Sequence, residues 1–183
     1  MKAYIITLIT FLTFATVTLS AQRIEYKNHT SKGARILESD IKKVARLDKS
    51  SRDLYMWAGL ASLDVKGTAI YSLKIMYTAA YRVTVKEGDP LVLTLKNGEE
   101  IVLRSQASVE SKGIEGVETV FASYEIKEAD LIEASRVGII KVAPTLTCFG
   151  ESSFSKELNM WKLARPLSLR YEMLREYIEK NPE

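Results

Sequence analysis

The sequence predicts an α+β fold: a mainly antiparallel β-sheet, sandwich- or barrel-like, with one short inserted helix and a helical C-terminal tail. Apolar and polar residues alternate with the period of a half-buried strand in much of the stretch from Ala69 to Ser105. Turn sequences such as Asn97-Gly98 separate the alternating runs. After Gly150, apolar residues recur every three or four positions, as in an amphipathic helix. The 183 residues, 46% of them hydrophobic and 27% charged, suit one globular domain and exclude a disordered, collagen-like or multi-span membrane chain.

Residues 1–21 have the pattern of a secretory signal peptide. Lys2 precedes an uncharged, mostly apolar run from Ile5 to Leu19, and the small residues Ser20-Ala21 follow it. We expect cleavage after Ala21, with Ser20 as the near alternative, and a soluble mature protein in the periplasm or outside the cell. An uncleaved anchor would need about 20 apolar residues. This run is shorter and no Cys follows it to carry a lipid, so no stable membrane anchor is expected.

The segment from Gln22 to Arg52 is basic, with nine Lys and Arg residues against four acidic ones, although the formal net charge of the chain is only +3. We expect a solvated leading segment; the alternative is a surface for phosphate-bearing envelope lipids or an acidic partner. Nucleic acid is not expected as a partner of an exported protein. Within this segment Leu37, Ile41 and Val44 fit either a helical stripe or a twisted edge strand.

Strands are predicted next along the chain. The apolar run from Leu54 to Leu60 indicates a buried strand. The following strand places four apolar residues on one face, namely Tyr71, Leu73, Ile75 and Tyr77. A short strand from Val83 to Val85 and a turn at Glu87-Gly88-Asp89-Pro90 complete this part of the sheet.

The stretch from Leu91 to Arg104 predicts a hairpin around Asn97-Gly98. A two-residue loop would pair Leu93 with Val102 and mix apolar and charged residues on both faces. A three-residue loop with Gly98 in the left-handed conformation pairs Leu93 with Ile101 instead. The resulting apolar face consists of Leu91, Leu93, Leu95, Ile101 and Leu103. We predict the second register, because burial of each large apolar side chain contributes roughly 1.5–3 kcal/mol.

A second hairpin, a helix and a strand are predicted after this one. The strands of the hairpin are Ser105–Ser111 and Val117–Ile126, joined by a loop from Lys112 to Gly116. A short helix from Lys127 to Val137 has acidic residues early, Arg late and Gly just after its end. The run from Ile139 to Leu146 predicts a buried strand.

We expect residues 22–150 to form the β-rich domain and residues 151–183 to form a helical segment packed on it. The first helical face consists of Phe154, Leu158 and Trp161. Pro166 is expected to start a new helix. The stripe of that helix consists of Leu167, Tyr171, Leu174 and Ile178. We expect the stripe to pack against its own domain; the alternative is docking to another chain.

The counts of His and Cys exclude several kinds of chemistry. The chain has one His, His29, and one Cys, Cys148, too few for structural zinc, multi-His metal centres, disulfide frameworks or c-type haem attachment. His29 follows the signal peptide in a polar stretch and is expected to be exposed rather than a catalytic base. Cys148 lies in an apolar stretch at a strand end and is expected to be a buried, inert thiol rather than a nucleophile. No catalytic, cofactor-binding or metal-binding residue is therefore predicted.

The acidic and the aromatic residues each allow one specific hypothesis about function: a glycosidase site and a ligand-binding platform. A glycosidase needs only two facing acidic residues, but most acidic residues here adjoin Lys or lie in turns, as on a solvated surface. The aromatic residues concentrate in one span, at Tyr55, Trp57, Tyr71, Tyr77 and Tyr81. Burial is the default expectation for them. The sharper hypothesis is a ligand platform made by Trp57, Tyr77 and Tyr81.

The region from Ala69 to Leu146 resembles small secreted β-rich proteins of Gram-negative gut-type bacteria. The resemblance rests on the Leu-x-Leu-x-Leu-Lys-Asn-Gly-Glu hairpin from Leu91 to Glu99, followed by Tyr124-x-Ile126, a short helix and a buried strand. It implies a bacterial envelope setting. It assigns no activity and no site residues.

Together these observations predict a secreted or periplasmic, non-enzymatic binding or structural protein. Its partner would be another protein or a small ligand in the cell envelope, and no cofactor is predicted. The alternative is a carboxylate-based hydrolase or another carbohydrate-active protein.

Overall fold

The computed structural model describes residues 24–27, 34–47, 53–65, 68–114, 116–148, 151–159 and 161–181. In these ranges the protein is α+β, with two antiparallel sheets, one inserted helix and a C-terminal helix, as the sequence predicts. The predicted signal peptide and His29 lie outside the described residues.

Along the chain, most elements are strands; one helix lies between the eleventh and twelfth strands and a second helix follows the last strand. They are β1 (Ile24–Lys27), β2 (Ala34–Ser39), β3 (Lys42–Arg46), β4 (Tyr55–Val65), β5 (Thr68–Ala79), β6 (Thr84–Val85), β7 (Pro90–Leu95), β8 (Glu100–Arg104), β9 (Val109–Glu110), β10 (Lys112–Ile114), β11 (Val117–Ile126), α1 (Glu128–Val137), β12 (Ile139–Cys148), β13 (Glu151–Ser153), β14 (Lys156–Glu157) and α2 (Trp161–Lys180). The first sheet has the order β1-β2-β4-β5-β11-β10, and β3 also pairs with β4. The second has the order β8-β7-β12-β6-β9, and β13 and β14 also pair with β12.

The hydrophobic core is one continuous cluster to which both sheets and both helices contribute. Leu60, Leu73 and Tyr124 oppose one another across β4, β5 and β11, and all three are fully buried. In the second sheet the paired residues Leu93 and Val142 are also fully buried and belong to the same continuous hydrophobic cluster. Burial of this cluster is the main favourable contribution to folding.

The β7–β8 hairpin has the predicted register. Leu93 pairs with Ile101, and the backbone N–H of Leu95 donates to the carbonyl of Glu99 over 2.8 Å, which closes a three-residue loop. Gly98 has a φ of 88°, the left-handed conformation that this loop requires. The apolar pattern therefore predicts the pairing correctly.

The second predicted hairpin is only partly correct. β10 occupies most of the predicted five-residue loop, and Ile114 pairs with Val117, so only two residues separate the paired positions. Gly116, with a φ of 81°, provides the left-handed conformation that so tight a turn needs. The predicted first strand, Ser105–Ser111, contributes β9, which pairs with β6 in the second sheet.

Leu37 and Val44 lie in strands, β2 and β3, rather than in a helix. The prediction of one edge strand that also contains Ile41 is wrong, because Ile41 lies between the two strands and β2 pairs with both β1 and β4. β2 and β3 pair in succession with the same edge of β4, and the chain bends between them at Asp40-Ile41, opposite Gly59. A Cβ atom on Gly59 would lie 2.8 Å from Cγ2 of Ile41 and 2.9 Å from the carbonyl oxygen of Asp40. The close approach at the bend therefore requires glycine.

The helix and strand after β11 are as predicted. α1 starts one residue later than the predicted Lys127, and Gly138 follows its end with a φ of 92°. β12 extends two residues beyond the predicted Leu146, and its buried and partly exposed residues mostly alternate.

The C-terminal helix packs on its own domain, as the sequence predicts. Leu167, Tyr171 and Leu174 are buried against the core, and Ile178 packs at its edge. The Tyr171 hydroxyl also donates to the Glu128 carboxylate at the start of α1 over 2.6 Å. The stripe is therefore part of the fold and is not left open for another chain.

The prediction of a helical face at Phe154, Leu158 and Trp161 is wrong. The segment before α2 forms β13 and β14, and the backbone N–H of Leu158 donates to the carbonyl of Ile140 in β12 over 2.7 Å. A spacing of four residues fits one face of a strand as well as one face of a helix. Pro166 also does not start a helix, since α2 begins at Trp161 and the proline lies inside it.

Two buried arginines connect α2 to the first sheet. Nε of Arg170 donates to the carbonyl oxygen of Asp40 over 3.0 Å, and another guanidinium nitrogen lies 3.2 Å from an Asp40 carboxylate oxygen. Arg35 pairs with Asp64 over 2.5 Å and donates to the carbonyl of Asn181 at the end of α2. The expectation of a solvated basic segment is therefore wrong for Arg35, and that of solvated carboxylates is wrong for Asp64, because each charge is buried with its partner.

The bend opposite Gly59 can be tested by Gly59→Ala. The added methyl group must displace Ile41 and the Asp40 carbonyl, so we expect the free energy of unfolding to fall by about 1–3 kcal/mol in urea denaturation. Gly113→Ala on β10 is the matched control, since its Cβ would approach only the flexible, partly exposed side chain of Glu118 and no backbone atom. Equal losses in the two variants would contradict a specific role for the bend.

Truncation after Arg165 tests the packing of α2. The shortened chain loses the buried side chains of Leu167, Tyr171 and Leu174, and we expect a loss of about 5 kcal/mol or more. This is a large part of the roughly 5–15 kcal/mol that stabilises a domain, so thermal unfolding followed by circular dichroism should show little or no folded protein. A melting temperature equal to that of the intact chain would show that α2 adds little to the fold.

Candidate functional site

Aromatic and apolar side chains form a strip across the outer face of the first sheet. Lys43, Trp57, Met76 and Phe121 lie directly opposite one another on β3, β4, β5 and β11, and we call these four residues the outer strip. Directly opposed residues of antiparallel strands project from the same face. Phe121 is 54% exposed, so the strip is open to solvent at that end.

A groove lies beside the strip, at the end of the sheet where β4 begins. Its volume is about 380 Å³, and its aromatic and polar lining consists of Lys43, Asp53, Tyr55, Trp57 and Thr78. Small or aliphatic residues from the ends of β5 and β11 complete its described lining. We call this cavity the aromatic groove.

Lys43 is held over the aromatic rings of the groove. Its ammonium nitrogen lies 3.5 Å from the centroid of Tyr55 and 5.9 Å from that of Trp57. Both distances are within the range of a cation–π contact, and such a contact positions the amine without neutralising its charge. The Trp57 indole N–H points to the Thr78 hydroxyl over 3.4 Å, so the indole is oriented from the neighbouring strand.

Asp53 is the acidic residue of the groove lining. Its carboxylate accepts a hydrogen bond from the Tyr55 hydroxyl over 3.1 Å and pairs with Arg46 over 2.8 Å. Asp53 has a φ of 49°, a left-handed conformation that Asp adopts more readily than most residues. Asp53 thus pairs with Arg46, and Lys43 is the positively charged residue of the described lining.

The predicted platform of Trp57, Tyr77 and Tyr81 is wrong for Tyr77. Tyr77 is fully buried on the inner face, where its hydroxyl lies 3.4 Å from that of Tyr124. Burial raises the pKa of the Tyr77 hydroxyl well above its ordinary value, and Tyr124 adds to this rise. Tyr81 packs against the core, so Trp57 alone of the three contributes to the groove. Tyr71 is buried, as expected.

Lys43, Met76 and Phe121 were not recognised as site residues from the sequence. The pairing of Val65 with Thr68 leaves two residues between β4 and β5, and this register places Trp57 opposite Met76 rather than Tyr77. The two-residue spacing between Val65 and Thr68, which includes Gly67, indicates a tight hairpin turn. Its register would have identified the residues that share the outer face with Trp57.

Cys148 is not part of the described lining of the groove. Cys148 is buried at the end of β12, as the sequence predicts. Among the described residues there is no group of three or more His, Cys, Asp or Glu side chains that could hold a metal ion. Neither α1 nor α2 combines the length and apolar character of a bilayer-spanning helix.

Comparison with known proteins finds no matching family model, no matching curated protein and no matching solved structure.

The two faces of the first sheet can be distinguished by Phe121→Ala and Tyr77→Ala. Phe121 is more than half exposed, so we expect its truncation to change the free energy of unfolding by less than about 1 kcal/mol. Tyr77 is fully buried, so its truncation should cost about 3–5 kcal/mol. Urea denaturation measures both values, and similar losses would contradict the assignment of Phe121 to an open face.

Proposed function

We propose that the protein is an exported, non-enzymatic binding protein of the periplasm or cell surroundings, and that the aromatic groove and the outer strip form its binding surface. The observation that supports this most directly is the group of partly exposed Tyr55 and Trp57 with Lys43 above them in a groove. Aromatic rings with a few fixed polar groups are typical of ligand sites. Export rests on the predicted signal peptide.

The composition of the groove favours binding over carboxylate chemistry. Hydrolysis of a glycoside by the usual route needs two carboxylates that flank the bond. The described lining provides one, Asp53, and this carboxylate already contacts Tyr55 and Arg46. Lys43, Tyr55 and Trp57 instead provide a charged group and two aromatic surfaces, which can bind a ligand without a reaction.

Photo-crosslinking in the native cell envelope tests this proposal. Phe121 is replaced by a phenylalanine that carries a benzophenone, and a second protein carries the same residue at position 102 on β8. Val102 is 51% exposed, so the two probes have similar access to solvent. We expect light-dependent adducts at position 121 and several-fold fewer at position 102, measured by mass spectrometry of the purified protein. Equal yields at the two positions, or no adduct at position 121, would refute binding at this face.

A further inference from the structure

We infer that the aromatic groove and the outer strip bind an acidic saccharide, more than one sugar unit long, with an anionic group of the saccharide at Lys43. This inference rests on the proposed function and names the class of its ligand. It is carried by three properties of the surface: its length, its polar lining and its charge.

The length of the outer strip suits an oligosaccharide. Neighbouring strands of a sheet lie about 4.8 Å apart, so the four strands from Lys43 to Phe121 span roughly 14 Å. This span exceeds a single sugar ring. Trp57 and Phe121 provide aromatic faces near the two ends, with the flexible thioether of Met76 between them. The apolar C–H faces of successive sugar units can pack on these side chains.

The polar lining suits hydroxyl groups. Thr78 and Asp53 both line the groove, with the Thr78 hydroxyl at the Trp57 indole and the Asp53 carboxylate at the Tyr55 hydroxyl. Both can exchange hydrogen bonds with sugar hydroxyls, and the Tyr55 hydroxyl already fixes the position of the Asp53 carboxylate. An aromatic surface bordered by hydroxyl and carboxylate groups matches a ligand that has alternating apolar and polar edges.

The charge of the groove selects an anionic ligand. Asp53 forms an ion pair with Arg46, and within the described part of the chain no carboxylate forms an ion pair with Lys43. The ammonium group of Lys43 is held by the Tyr55 ring, which leaves its hydrogen-bonding capacity for an oxygen anion. A carboxylate on a sugar placed against Trp57 can form a charge-assisted hydrogen bond with the Lys43 ammonium group.

The experiment uses Trp57 as its own reporter. The chain has two Trp residues, and Trp161 is 43% exposed at the start of α2, so Trp161→Phe leaves the fluorescence of Trp57 alone with little effect on the fold. This protein is titrated with trigalacturonic acid and with the same trisaccharide after reduction of its carboxyl groups. We expect quenching or a spectral shift with the acidic trisaccharide and about tenfold weaker binding of the neutral one. Lys43→Gln should weaken the binding of the acidic trisaccharide about tenfold.

Lys96→Gln is the matched control, since it removes the same charge from the exposed β7–β8 loop and should leave the affinity unchanged. Equal binding of the acidic and the neutral trisaccharide, or equal effects of the two lysine substitutions, would overturn the role of charge. No response to either trisaccharide, or an equal response to an acidic peptide such as triglutamate, would overturn the saccharide as ligand. Crosslinking at position 121 tests the proposed function separately. A specific adduct at this position without saccharide binding would refute the acidic saccharide as ligand but not the proposed binding function.

Discussion

The contact of the buried Arg170 side chain with Asp40 stabilises the bend on which the pairing of the first sheet depends. At this bend the carbonyl of Asp40 accepts hydrogen bonds from the side chains of Ser39 and Arg170. The bend allows β2 and β3 to pair with different parts of β4, and β3 thereby carries Lys43 to its position opposite Trp57. The packing of the C-terminal helix and the geometry of the groove therefore both depend on the bend at Asp40.

The alternation of side chains in the first sheet places core residues next to residues of the proposed binding surface. Tyr77 and Val120 point into the core, while their neighbours in sequence, Met76 and Phe121, point to the outer face. Successive residues of a strand face opposite sides, so the two roles fall on adjacent positions of the same strand. Substitutions on the outer face can therefore be used to test the proposed binding with little effect on the core.

The sequence was most informative where hydrophobic burial alone decides the structure. The leucines of the β7–β8 hairpin have one register that collects them on one face, and the structure has that register. The bend opposite Gly59 depends on a close approach between distant residues, and no local pattern contains this information. The segment around Phe154 and Leu158 was misassigned because its spacing fits both helix and strand. The groove was missed in part because Lys43 and Trp57 meet only through strand pairing.

The arginine contacts of α2 also determine when the fold can be completed. Arg35 and Asn181 are 146 positions apart in the sequence, and Asp40 and Arg170 are 130 apart. Contacts between such distant positions slow folding, because a long loop must close before they contribute. During synthesis, β2 emerges from the ribosome long before its partners in α2. The residues that contact Arg35 and Asp40 are thus made long after them, and a nascent chain that has not yet reached α2 exposes the core residues that α2 covers.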